Sequence, residues 1–168
     1  MGSEEKTVQD TKRLMDSIGE KLIAQNSTIA VAESVTSGNI QAVFSIAKKT
    51  VQFFQGGITA YNLGQKCRHL SVEPTHALEC NCVSKQVADQ MAIQVAGLFC
   101  AGYGIGITGY ASPVPELGIE DLFAYVSVAK NGGLVLSEKI VAERMEPREV
   151  QLFYTNECIR LLDSIIDR

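Results

Sequence analysis

What this 168-residue chain lacks is the first guide to its function. No apolar run approaches the length that crosses a bilayer, and no apolar h-region stands near the start. Met1-Gly2 would suit myristoylation, but Lys6 occupies the place where that signal wants Ser or Thr. No Cys-x-x-Cys pair occurs among the 5 cysteines. Cys80-Asn81-Cys82, with only His69 and His76 nearby, has poor zinc spacing, so no structural metal is expected. Their odd number suits reduced thiols serving as small apolar residues in a cytoplasmic protein. There is no basic excess either. The formal net charge of −4 argues against nucleic acid as a partner and leaves any anionic ligand to a few local cations. Linkers, repeats and low-complexity stretches are also missing, so residues 1–168 are read as one soluble domain without membrane contact.

What is present alternates between strand and helix patterns. Leu14, Met15, Ile18 and Leu22 recur at helical spacing within 3–25, and 28–32 reads as a buried strand. A helix over 37–48 follows, then a strand over 58–61 opened by Gly56-Gly57, then a helical turn carrying Lys66 and Leu70. Pro74 suits the first turn of a helix ending near Glu79. Ser84 is placed to cap a helix whose Val87, Ala88, Met91, Ala92, Val95 and Ala96 form a narrow stripe of mostly small residues. The strand over 102–108 alternates glycine with Tyr103, Ile105 and Ile107, which weakens it unless another backbone or a ligand comes close. A loop over 110–118 leads to strands at 123–129 and 134–141 joined through Asn131-Gly132-Gly133, a hairpin signal. An amphipathic helix over 147–166 closes the chain. This order predicts a three-layer α/β/α sandwich around a mixed, mainly parallel sheet.

Chemistry is concentrated where strands end. Ala32-Glu33-Ser34-Val35-Thr36-Ser37-Gly38 runs from a strand into a helix, a place where α/β proteins put nucleophiles and receive anions. Ser34 and Thr36 could equally be ordinary helix caps. Lys66 would serve as a base if burial stripped its proton, although a lysine on a short helix is more often solvated. Tyr61 could orient it or relay a proton, or simply pack at the strand end. Thr108-Gly109 ends a third strand on the same rim. Arg144 and Arg148 sit at the start of the last helix, where cations do not complement the helix dipole, which points to an anionic partner.

Taken in order, Glu33-Ser34-Val35-Thr36-Ser37-Gly38, Gln55-Gly56-Gly57-Ile58 with Tyr61 and Lys66, Val83-Ser84, and Ile107-Thr108-Gly109 resemble the C-terminal domain of the CinA competence/damage-inducible proteins. The resemblance runs from about residue 10 to the end, leaving 1–9 as a tail that could be disordered. Larger members of that family carry a further N-terminal domain resembling molybdopterin-binding proteins, which these residues do not match. Active members are nicotinamide-nucleotide amidases that use no cofactor and convert nicotinamide mononucleotide to nicotinic acid mononucleotide and ammonia. The resemblance makes Ser34 the nucleophile, Lys66 the general base and Tyr61 the proton relay. It assigns Thr108, Gly109 and Arg148 to a nucleotide-like small-molecule substrate, with Arg148 on its phosphate. The amides of Thr36, Ser37 and Gly38 would receive the substrate's developing oxyanion.

The chain departs from the family pattern at three places. Ser37 stands for a glycine, Val35 for a cysteine, and Ala111-Ser112-Pro113-Val114-Pro115 for a glycine-rich loop. Two functional classes therefore stay open. Ser34, Tyr61 and Lys66 together favour an amidohydrolase, whereas Val114-Pro115 favours a silent homologue that binds a nucleotide-like ligand or acts as an oligomeric interaction module. The small-residue stripe of 84–99 and the glycines of 102–108 leave little bulk for an outer face, so a homo-oligomer, most simply a dimer, is expected.

Overall fold

The computed structural model describes residues 3–166, with side chains from residue 9 onward. Helix α1 (Ser3–Ala24) leads into strand β1 (Ile29–Glu33), helix α2 (Asn39–Ser45) and strand β2 (Phe54–Thr59). Helices α3 (Leu63–Leu70), α4 (Pro74–Glu79) and α5 (Lys85–Leu98) then cross to strand β3 (Tyr103–Gly109). Strands β4 (Leu122–Lys130) and β5 (Gly133–Ala142) and helix α6 (Pro147–Ile165) complete the chain. Residues 1 and 2 of the expected tail lie outside the described residues.

The five strands form one sheet in the order β2-β1-β3-β4-β5. β1 pairs in parallel with β2 and β3, while β4 pairs antiparallel with both β3 and β5. Only β4 therefore opposes the common direction, so the sheet is mixed and mainly parallel. Every residue of β1 is buried because the sheet is covered on both faces. Ile29 and Val31 join a core with α1, α2 and α6, and Ala30 and Ala32 join a second core with α3, α4 and α5. This is the expected three-layer sandwich.

Local signals account for most boundaries. Ser84 Oγ accepts the Val87 amide at 3.1 Å and starts α5. Glu73 accepts the amides of Thr75 and His76 ahead of Pro74. Asn131 and Gly132 take φ of 51° and 82°, the two left-handed positions of a tight hairpin turn. β2 starts earlier than expected, at Phe54, and includes Gln55-Gly56-Gly57. Those residues have low strand propensity, and pairing with β1 carries them. α2 is shorter than the helix expected over 37–48 because Ser37 and Gly38 take φ of 50° and 92°.

The alternating glycines of β3 are explained within the chain. A Cβ on Gly104 would run into the Ala92 carbonyl oxygen, and one on Gly106 would lie 2.5 Å from the Ala92 nitrogen. The α5 backbone is thus the close neighbour that the sequence called for. The stripe of Val87, Ala88, Met91, Ala92, Val95 and Ala96 is buried in the same contact. It is covered by the chain's own sheet, so it does not itself require a second subunit.

Gly106→Ala is expected to destabilise the protein by about 3 kcal/mol, because overpacking here meets helix backbone that cannot turn aside. Urea unfolding measures this. A loss below about 0.5 kcal/mol, the scale of ordinary surface changes, would show that α5 does not sit this close.

Candidate active site

The site lies at the rim where β1 ends, between β2 and β3. The chain leaves β1 for α2 on one face, while β3, lying on the other side of β1 from β2, is reached through α3 to α5 on the opposite face. In sheets of this kind, ligands bind beyond the carboxyl ends of such strands. A cavity of about 410 Å³ opens there. Its wall includes Ser34 and Val35 from the end of β1, Lys66 from α3, Cys82, and Thr108 and Gly109 from β3.

Ser34 follows Glu33, and strand alternation places it on the side of Ala30 and Ala32, facing α3. Lys66 lies one turn before Leu70 on the buried face of that helix. Asn62 caps α3, its Oδ1 accepting the Gln65 amide at 3.0 Å. The result is a hydrogen bond of 2.8 Å between Lys66 Nζ and Ser34 Oγ. A second, of 3.0 Å, runs from Lys66 Nζ to the Tyr61 carbonyl. Only 1% of Lys66 is exposed, and burial lowers its pKa although the thiols of Cys82 and Cys67 pull the other way. Burial likewise pushes the Cys82 thiol up, against the pull of Lys66. Among the described residues no carboxylate is hydrogen-bonded to Lys66 to compensate a charged ammonium.

The other expected residues divide into two groups. Tyr61, Thr108 and Gly109 line the cavity with the Ser34–Lys66 pair. The Tyr61 side chain, however, is 74% exposed, and what meets Lys66 is its carbonyl oxygen rather than its phenol. Thr108 Oγ1 donates to the Cys82 carbonyl at 2.8 Å, tying β3 to the opposite wall. Gly109 needs no ligand to explain it, since a Cβ there would lie 2.5 Å from the Phe123 carbonyl oxygen of β4.

Thr36, Ser37, Gly38 and Arg148 are not in the cavity wall. Thr36 is fully buried with its hydroxyl 2.6 Å from Glu33 Oε2, and the Gly38 amide also donates to that oxygen. The Ser37 amide donates to the Ser34 carbonyl. The expected oxyanion donors from Ser37 and Gly38 are thus already engaged, and among the described residues the turn leaves the amides of Val35 and Thr36 outside its hydrogen bonds. Arg148 Nη1 donates to Asn39 Oδ1 at 2.7 Å, and Arg144 pairs with Glu120. The acidic complement that α6 wanted comes from within it, Glu149 accepting the Glu146 amide at 3.2 Å. That removes the dipole argument for an anionic partner there.

Sequence reasoning missed Val35, Asn81, Cys82 and Gln151 as cavity residues. Asn81 and Cys82 take φ of 50° and 60°; asparagine favours that region, but the residue type of Cys82 does not announce it. Gln151 could have been found, because it follows Arg148 by one helical turn. The rebuilt loop lends Ala111, Ser112 and Val114 to the wall and is pinned by paired backbone bonds between Val114 and Ile119. Among the described residues no three His, Cys, Asp or Glu side chains gather to hold a metal ion. No described helix is long and apolar enough to cross a membrane.

A family model described as CinA C-terminal domain matches residues 11–166. A CinA-like protein of Picosynechococcus sp. is 38% identical over 96 residues, which cover 57% of this chain and 23% of that one. A CinA-like protein of Chlorobium chlorochromatii is 33% identical over 142 residues, 82% of this chain and 33% of that one. The chain thus spans about a third, or less, of the length of these relatives. The crystal structure of a competence-damaged protein (CinA) superfamily protein from Klebsiella pneumoniae shares the fold. Its TM-score is 0.86 at 22% identity, covering 94% of this chain and 98% of that chain.

A lysine whose pKa is lowered by folding makes stability depend on pH. Between the lowered value and the ordinary 10.5, the unfolded chain binds the proton and the folded one does not. Stability of the wild type relative to Lys66→Met should therefore rise with pH through that window and level off above it. Urea unfolding at a series of pH values measures the difference. No rise over that window, with a fall only above 10.5, would mean that Lys66 is held protonated.

Proposed function

The chain belongs to the CinA C-terminal domain family, and from that premise we propose that it is an amidohydrolase in which Ser34 attacks a carboxamide with Lys66 as general base. The observation that carries this reading is the 2.8 Å contact between Ser34 Oγ and a lysine that is almost wholly buried. A neutral Lys66 has two N–H bonds and one lone pair. Donation to the Tyr61 carbonyl fixes the amine, so that its lone pair can accept the Ser34 proton.

The reaction follows from that arrangement. Ser34 Oγ bonds to the carboxamide carbon as its proton passes to Lys66. The carbonyl oxygen becomes negative, and the amide of Val35, a cavity-wall residue outside the turn's hydrogen bonds, would stabilise it. Lys66 then gives the proton to the departing nitrogen, ammonia leaves, and an ester on Ser34 remains. Water attacks that ester with Lys66 again taking a proton, which returns to Ser34 as the carboxylate product is released. Nicotinamide mononucleotide is the substrate implied by the family resemblance and the first to test.

A second reading, a homologue that binds a nucleotide-like ligand without turnover, draws on one observation. Arg148, the cation intended for a phosphate, is bonded to Asn39 and lies outside the cavity wall. Ammonia release separates the two readings.

The purified chain is expected to release ammonia from nicotinamide mononucleotide. Ser34→Ala and Lys66→Met should each lower kcat by about a thousandfold or more, with ligand affinity nearly unchanged. Binding without ammonia release by the wild type would favour the silent homologue. Tyr61→Phe should keep kcat within about threefold, because the carbonyl that holds Lys66 is retained. A much larger loss would restore the phenol as a proton relay.

A further inference from the structure

Glu33, the last residue of β1, is fully buried, and no ion pair among the described residues involves it. Its carboxylate accepts four hydrogen bonds instead. Oε2 takes Thr36 Oγ1 at 2.6 Å, the Gly38 amide at 3.0 Å and the Ile40 amide at 3.1 Å, and Oε1 takes the Gln41 amide at 2.8 Å. Burying a carboxylate is costly unless such donors replace its water. The first amides of α2, at the positive end of the helix, supply part of that replacement. An ordinary helix cap comes from the residue just before the helix. Here the cap comes from the end of a strand, and Ser34 lies inside the segment that these bonds close.

That segment holds conformations that need support. Ser37 and Gly38 both lie in the left-handed region, at φ of 50° and 92°, and Ser37 lacks the glycine's freedom there. The Glu33 bonds to Thr36 and Gly38 flank Ser37 on both sides. We propose that Glu33 is a positioning residue of the Ser34–Lys66 pair. By tying Thr36, Gly38 and the start of α2 to the rigid end of β1, it holds Ser34 Oγ within reach of Lys66 Nζ. It also takes the Gly38, Ile40 and Gln41 amides away from the substrate. The role rests on the reading of Ser34 as nucleophile.

Two variants and two readouts test it. Glu33→Gln keeps one acceptor oxygen but turns an amide N–H₂ toward the donors of the other, and Thr36→Val removes one donor while leaving the carboxylate. The readouts are kcat and KM for ammonia release, and the rate at which a fluorophosphonate labels Ser34. In that labelling a Ser34 Oγ–P bond forms, P–F breaks, fluoride leaves and Lys66 takes the proton. In Glu33→Gln, kcat and labelling rate should both fall by about 10–100-fold, with KM within about threefold, as expected of a displaced reacting atom. Thr36→Val should show a smaller loss of the same kind, and it decides the matter if Glu33→Gln does not fold. Unchanged rates in a folded variant whose melting temperature has dropped would overturn the role, leaving Glu33 as a cap of α2 only. Wild type that labels at Ser34 but releases no ammonia would defeat the amidase reading, while the labelling rates still judge Glu33. Wild type that neither labels nor releases ammonia would overturn both.

Discussion

Consecutive residues of a β-strand point to opposite faces of its sheet, and at the end of β1 this constraint separates Glu33 from Ser34. Glu33 turns toward α2 and is satisfied by helix amides and a threonine hydroxyl. Ser34 turns toward α3 and meets Lys66. Had both faced one side, the carboxylate would have paired with the lysine and kept its proton on. With the sheet between them, Glu33 and Lys66, the buried charged side chains at this rim among the described residues, are each hydrogen-bonded to neutral partners. The surroundings of the lysine thus follow from the period of a strand.

The helices and strands around this pair supply rigidity rather than further chemistry. Leu70 anchors α3 in the second core and so fixes the turn on which Lys66 sits. Glycines in β3 let α5 lie directly on the sheet, which brings the 80–83 segment over the ends of β1 and β3. Thr108 then ties that segment down through the Cys82 carbonyl. A wall assembled from strand ends and a short helix leaves Ser34 and Lys66 little freedom, as the proposed serine chemistry would require.

Several residues that a family comparison would place against a ligand are held by the protein instead. Thr36, Gly38 and Arg148 all make internal bonds. Of the turn's residues, Ser34 and Val35 line the cavity. The contact with the Tyr61 carbonyl has a similar lesson, since a side-chain identity can be kept at a position whose visible contribution is made by the backbone.

The elements themselves were largely determined by local sequence. Helical periodicity marked α1, α5 and α6, Ser84 and Pro74 marked helix starts, and Asn131-Gly132 marked the hairpin, because each signal acts within a few residues. Ser34 and Lys66 were also legible as candidates, one for its place after a strand and one through the ordered motifs. What only the tertiary structure decided was which groups meet. The Ser34–Lys66 contact joins residues 32 positions apart, and the burial that lowers the lysine's pKa comes from packing that no window of sequence contains. The early start of β2 depended on pairing with β1, because Gly56 and Gly57 have no strand propensity of their own. The inward bonds of Thr36 and Arg148 depended in the same way on where Glu33 and Asn39 came to lie. Propensity and period act along the chain, whereas hydrogen-bond partners and desolvation are set across it.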